Sequence, residues 1–181
     1  MVGYSLWLLP QADDEAVVTP VMRTLAGLFG HPPFDPHLTV QGNLGGDPLH
    51  LASLAAQTAA QTPVLEWKPP VFGRASFFYR AFFLQFDDHP TFDALGRRVG
   101  SQTKATEGRP PYPHLSLAYG EADRAPGSVD LVEVLEAAHP GFLDDLTSRC
   151  FRFDRLAVAL SAQGVPLDQW RLLETFQLGS G

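Results

Sequence analysis

A single cysteine, Cys150, leaves no partner for an intrachain disulfide and no material for a thiolate metal cluster in a chain of 181 residues. That scarcity fits a reducing, cytoplasmic setting. Positive charge is also short: 13 Lys and Arg stand against 20 Asp and Glu, a net charge of −7. Sequence-independent grip on nucleic acid comes from clustered Lys and Arg, so this balance argues against a broad basic groove. A small anionic ligand or one RNA end remains compatible with it. The apolar start, Tyr4 to Leu9, has no basic lead-in and stops at Pro10, too short for a signal core or a membrane span. It reads as a buried first strand, and no membrane partner is expected. What the chain does have is 45% hydrophobic residues, enough for a packed core, with no low-complexity tail or linker. A single domain over residues 1–181 is expected.

One short pattern occurs twice: Pro36-His37-Leu38-Thr39-Val40 and Pro113-His114-Leu115-Ser116-Leu117. In an extended strand side chains alternate between faces, so His37 and Thr39 point one way and Leu38 and Val40 the other. His114 and Ser116 repeat the arrangement. One such pattern is common at sheet edges, where the histidine is simply satisfied. Two copies, 77 residues apart, each after a proline, suggest similar halves that each lend an imidazole and a hydroxyl to a shared site. Two histidines and two hydroxyls around one cleft suit phosphoester chemistry: a base, an acid and two neutral donors to phosphate oxygens.

The rest of the chain alternates strand-like and helix-like text with Gly and Pro between. Strands are expected at Gly3–Leu9, His37–Leu44, Val64–Trp67, Val71–Gly73, Ser76–Phe86, His114–Tyr119, Phe151–Leu160 and Trp170–Leu178. Helices are expected at Asp13–Phe29, with Pro20 a place for a kink, and at Asp47–Gln61, with Asp47 as N-cap and Pro48 in the first turn. Others are expected at Pro90–Lys104, Val129–Ala138 and Phe142–Thr147. Residues Thr106 to Pro113 form a loop leading into the second motif. The fold class is α+β, with helices outside antiparallel sheets whose inner faces form a cleft.

These motifs, with Tyr4-Ser5-Leu6-Trp7-Leu8-Leu9-Pro10, Phe34-Asp35 before the first histidine, the aromatic run Phe77 to Leu84, Ala118-Tyr119 after the second motif and Phe151 to Ala157, resemble the 2H phosphoesterases. The flanking matches are most similar to the cyclic nucleotide phosphodiesterase branch. The resemblance implies a two-lobed, LigT-like fold that opens 2′,3′-cyclic phosphates without a metal or cofactor. Some members of the branch also open ADP-ribose 1″,2″-cyclic phosphate, and in plant and fungal members the product is the 2′-phosphate. RNA-ligase-like relatives usually carry an arginine shortly after the second motif. Here Leu117 leads into Ala118-Tyr119-Gly120, which favours a small nucleotide over an RNA end.

In the chemistry this implies, a neutral imidazole takes a proton from the attacking water and a protonated one gives a proton to the leaving ribose oxygen. The resemblance makes His114 the base and His37 the acid, while the near-symmetric motifs alone leave the order open. Thr39 and Ser116 are expected to donate to the non-bridging phosphate oxygens. Tyr79 matches a family position against the base, Trp7 and Tyr119 match further cleft positions, and Ser76 falls near the phosphate; for the aromatics a core role is the competing reading. His31, His50, His89 and His139 lack a hydroxyl two residues on and read as bystanders. No metal site is expected at His31 and His37, which are separated by prolines. Arg80 and Arg109 are within reach of a phosphate, Arg109 with a solvated loop role more natural. The expected activity is therefore that of a metal-independent, monomeric hydrolase of small cyclic-phosphate nucleotides. RNA-end processing and a noncatalytic nucleotide-binding module are the alternatives.

Overall fold

The computed structural model describes residues 3–75, 77–105, 107–120, 131–162 and 164–179. The expected site residue Ser76, and residues 129–130 of the expected fourth helix, lie outside them. The first strand, β1 (Tyr4–Pro10), has six of its seven residues buried, as its unbroken apolar text requires of a strand covered on both faces. It pairs antiparallel with β2 (Leu38–Leu44) on one side and β7 (Phe151–Leu160) on the other. The long β7 uses its far edge twice: Phe151–Phe153 pair with β3 (Leu65–Trp67), and Arg155–Leu160 with β8 (Arg171–Gln177). Beyond β2 come β6 (His114–Ala118), β5 (Phe82–Gln85) and β4 (Val71–Arg74), all antiparallel. The sheet order is β3-β7-β1-β2-β6-β5-β4. Among the described residues its halves meet at a single register pair, Leu38 opposite Leu115.

Alternation divides the sheet into two different faces. Leu6, Leu8, Leu38, Val40, Leu115 and Leu117 enter the main core together with helix residues. Those helices are α1 (Ala12–Phe29), which packs against β6, α2 (Pro48–Ala60), which packs against β7 and β8, and α3 (Pro90–Thr103), which packs against β2. The shorter α4 (Leu131–Ala138) and α5 (Phe142–Ser148) pack on α1. On α1 the buried Val18, Val21, Met22 and Leu25 repeat at helical spacing, and Gly30 closes the helix in the left-handed conformation. Pro20 lies on the exposed side, and α1 runs through it as one helix. Asp47 caps α2 as expected, accepting from the Leu49 N–H at 3.0 Å. The opposite sheet face carries only a small apolar cluster among the described residues, Trp7, Leu9, Ala157 and Ala159, and is otherwise free for a cleft.

One expected strand is broken. Residues Ser76–Phe86 do not form a single strand: Phe78–Arg80 make a 3₁₀ turn, and β5 begins only at Phe82. The β propensity of the aromatics yields to bonds from the end of β6, where Gly120 N–H donates to the Phe78 carbonyl at 2.8 Å and the Ser116 hydroxyl donates to the Tyr79 carbonyl at 2.7 Å. The period-two grouping of Phe77, Tyr79, Ala81 and Phe83 on one face is lost with the strand.

The loop into β6 is docked on β2. Gly42 N–H donates to the Gly108 carbonyl at 2.9 Å, and the Gln41 side-chain amide donates to the Glu107 carbonyl at 2.5 Å. Gly108 has φ +89°, and a Cβ there would stand 2.4 Å from the Gly42 carbonyl oxygen. Gly108→Ala is therefore expected to lose about 1–3 kcal/mol of stability through strain and clash, measured by denaturant unfolding. Gly27→Ala, on the exposed side of α1 with open space around it, is the control and should gain up to about 1 kcal/mol. Equal behaviour of the two would contradict the docking.

Candidate active site

The Leu38–Leu115 pair places the two motifs. In an antiparallel ladder, residues on either side of a pair oppose one another, so His37 falls opposite Ser116 and Thr39 opposite His114. Leu38 and Leu115 are fully buried in the helix-side core, which turns all four motif side chains to the other face. There they line one cavity of about 550 Å³. His37, immediately before β2, and Ser116 are buried; Thr39 and His114 are half-buried.

Each imidazole is tied in the same way. His37 Nδ1 lies 2.7 Å from the Asp35 carbonyl, and His114 Nδ1 lies 3.0 Å from the Tyr112 carbonyl, in both cases two residues back across a proline. Proline biases the residue before it to an extended conformation, which sets the carbonyl's direction. A carbonyl can only accept, so Nδ1 must carry the hydrogen, and in the neutral ring Nε2 keeps its lone pair. Burial pushes both histidines down to about pKa 4, against the opposing pull of the carbonyl bonds. His114 lowers His37 further, and the Arg80 charge lowers His114.

The aromatic candidates separate. Trp7 is 2% exposed and its indole stacks on His37, with centroids 3.7 Å apart and planes at 10°, so one face of the ring is occupied by the imidazole. Tyr79, on the 3₁₀ turn, is half-buried at the cavity and runs nearly parallel to Trp170 at 6.2 Å. Tyr119 lines the cavity but is 4% exposed; its ring stacks on Phe34 at 4.1 Å, and burial pushes its phenol far up despite contact with Ser116. Ser116 spends its one hydroxyl hydrogen on the Tyr79 carbonyl, so in this arrangement it donates to the turn rather than into the cleft.

A curated relative, the cyclic phosphodiesterase of Arabidopsis thaliana, is 26% identical over 186 residues, covering 97% of this chain and 94% of that protein. No protein-family model matches. E. coli LigT in complex with 3′-AMP superposes with a TM-score of 0.54 at 15% identity, covering 99% of each chain. The protein TT0787 of Thermus thermophilus superposes with a TM-score of 0.59 at 17% identity, covering 98% of each. At such identities the structures establish the fold, which is LigT-like. The chain shares the LigT-like fold and the paired motifs that mark the 2H phosphoesterase superfamily.

Several cavity neighbours escaped the motif reading. His31, set aside as a bystander, accepts from the Tyr119 N–H through Nε2 at 3.2 Å while its Nδ1 donates to the Pro32 carbonyl at 2.8 Å. It thereby holds the exit of β6, a role no local pattern announces. Trp170 lines the cavity from the start of β8, with its indole N–H committed to the Val165 carbonyl at 2.9 Å. Ser5, Asn43 and Ser161 also line it, and their contribution depends on chain crossings that sequence does not display. His50 is exposed and His139 hydrogen-bonds Thr24 at 2.8 Å, both away from the cavity. Among the described residues no cluster of His, Cys, Asp or Glu is arranged to hold a metal ion.

The buried imidazoles make stability depend on pH. An unfolded histidine titrates near 6.5, and these two fold with values near 4. Between those values the unfolded chain binds more protons, so their contribution is complete above pH 6.5 and shrinks as pH falls toward 4. From pH 7 to pH 5 the loss should reach about 2 kcal/mol for each histidine. A His37→Asn/His114→Asn chain should lose distinctly less stability over the same interval in denaturant unfolding. The same pH slope in both chains would contradict two buried, neutral imidazoles.

Proposed function

We propose that this 2H phosphoesterase hydrolyses 2′,3′-cyclic nucleotides to the 2′-phosphate, and that the 1″,2″-cyclic phosphate of ADP-ribose is open to the same step. The observation that carries the reading is the presence of two imidazoles on one sheet face, each tethered through Nδ1 and free at Nε2. The name of the Arabidopsis relative supports it, as does the nucleotide held by E. coli LigT. His114 takes a proton from water as its oxygen bonds to phosphorus; the bond from phosphorus to the ribose 3′-oxygen breaks, and His37 supplies that oxygen's proton. The anionic phosphate favours the imidazolium that His37 needs. Thr39 and Ser116 donate to the non-bridging oxygens, Ser116 by turning away from the Tyr79 carbonyl. Trp7 keeps His37 in place, while Tyr79 and Tyr119 bound the nucleotide.

A second reading has one observation of its own. Phe77 and Phe78 are 49% and 45% exposed where they border the cavity, a platform for a further base of an RNA end. The net charge of −7 favours the smaller substrate, because little counterion release is available to a longer chain.

His37→Ala and His114→Ala should each lower kcat on 2′,3′-cyclic AMP by about 10²–10⁴, with the double variant little worse and circular dichroism unchanged. Near-native kcat in either single variant defeats the paired mechanism. Dialysis against a chelator should leave the rate unchanged, and a large loss restored by one divalent ion would contradict the proposed chemistry. kcat/KM on the mononucleotide should equal or exceed that on a cyclic-ended oligomer and depend weakly on salt. An oligomer preference that collapses with salt favours RNA-end processing instead.

A further inference from the structure

A cyclic phosphodiester brings one negative charge into the cleft, and the charge on the transferring phosphate oxygens grows as water adds. Both imidazoles are neutral around pH 7 in the free protein, and no cationic side chain follows Ser116 on β6. Among the described residues two arginines line the cavity. Arg109 is already paired with Asp93 at 2.5 Å. Arg80 has no carboxylate partner among the described residues; its guanidinium carbon sits 4.8 Å from the ring centre of Phe77 and 5.1 Å from that of Tyr112. Contact with ring faces holds an arginine without using its N–H groups, and among the described residues no side-chain hydrogen bond of Arg80 is formed, so its donors are available to a ligand. Tyr112 also joins Arg80 to the reaction centre: its ring is 5.5 Å from that of His114, and its carbonyl is the acceptor for His114 Nδ1.

We propose that Arg80 is a catalytic residue of this site, a guanidinium poised by Phe77 and Tyr112 to bind the non-bridging phosphate oxygens, whose place beside His114 makes that histidine the base and leaves His37 as the acid. The inference rests on the reading of the cleft as a cyclic-phosphate site. It also breaks a symmetry that the two motifs leave intact. Among the cavity's titratable and charged groups, His37, Tyr79, Tyr119 and Arg109 accompany Arg80 and His114, Tyr112 packs edge-on to the His114 ring, and among the described residues Arg80 is the cation there without a carboxylate. A positive charge there opposes protonation of His114, which keeps it ready to accept from water.

The test compares Arg80→Gln and Arg80→Lys with the parent chain. In Arg80→Gln, kcat/KM on 2′,3′-cyclic AMP should fall by about 10²–10³, and Arg80→Lys should recover part of it. Calorimetric Kd for adenosine 2′-phosphate should weaken about tenfold or more in Arg80→Gln. Loss of the charge lets His114 protonate more easily, so the acid limb of the kcat/KM profile should move to higher pH in Arg80→Gln and stay in place in Arg80→Lys. An unchanged Kd together with an unmoved acid limb overturns the proposal. If the parent chain itself turns over no cyclic nucleotide, the functional reading fails, and the dependence of 2′-phosphate binding on Arg80 still decides the assignment of this residue. If Arg80→Gln does not fold, Arg80→Lys serves alone: severalfold weaker 2′-phosphate binding is expected from loss of the planar fork, and unchanged binding overturns the proposal.

Discussion

The site depends on one backbone pairing, Leu38 against Leu115, where the halves of the sheet meet. Both leucines are fully buried among helix residues, and that burial fixes the register. A slip of one residue on either strand would send a histidine and a hydroxyl into the core and two apolar side chains, Leu38 and Val40 or Leu115 and Leu117, into the cleft. The hydrophobic effect thus aims the polar groups without touching them. The local two-fold relation of an antiparallel pair then opposes the first half of one motif to the second half of the other.

The same sheet face that is closed enough to bury the imidazoles is open enough to admit a ligand. Burial keeps both rings neutral, and the carbonyls of Asp35 and Tyr112 keep their Nε2 lone pairs free. Such a cleft is electrically under-supplied when empty, and an anionic ligand restores the balance by favouring one imidazolium. Arg80 matters in that light because it is charged at every working pH and sits on one side of an otherwise symmetric pair.

Around the quartet, aromatic rings act chiefly as framework. Trp7 backs His37, Phe34 backs Tyr119, and His31 holds the Tyr119 backbone. The 3₁₀ turn at Phe78–Arg80 is pinned by Gly120 and Ser116, both on the segment that carries the second motif. Tyr79 and Arg80 are therefore positioned by the segment that carries His114, which couples the cleft wall to the hydroxyl of Ser116.

The chain alone determined the alternation of His37 with Thr39 and of His114 with Ser116, because period-two patterning and flanking prolines are local properties. It also determined the capped start of α2 at Asp47 and the buried run of β1, which follow from side-chain chemistry within a few residues. Tertiary structure decided whatever required distant segments to meet. It broke the aromatic stretch from Ser76 to Phe86, since hydrogen bonds from Gly120 and Ser116 outweighed strand propensity at Phe78–Arg80. It set Trp7, which lines the cavity, against the ring of His37, drew His31 and Trp170 to the site, and left Arg80 among aromatic faces without a carboxylate among the described residues. Local pattern sets which face of its own strand a side chain occupies; only the packing of strands far apart in the chain sets what stands across from it.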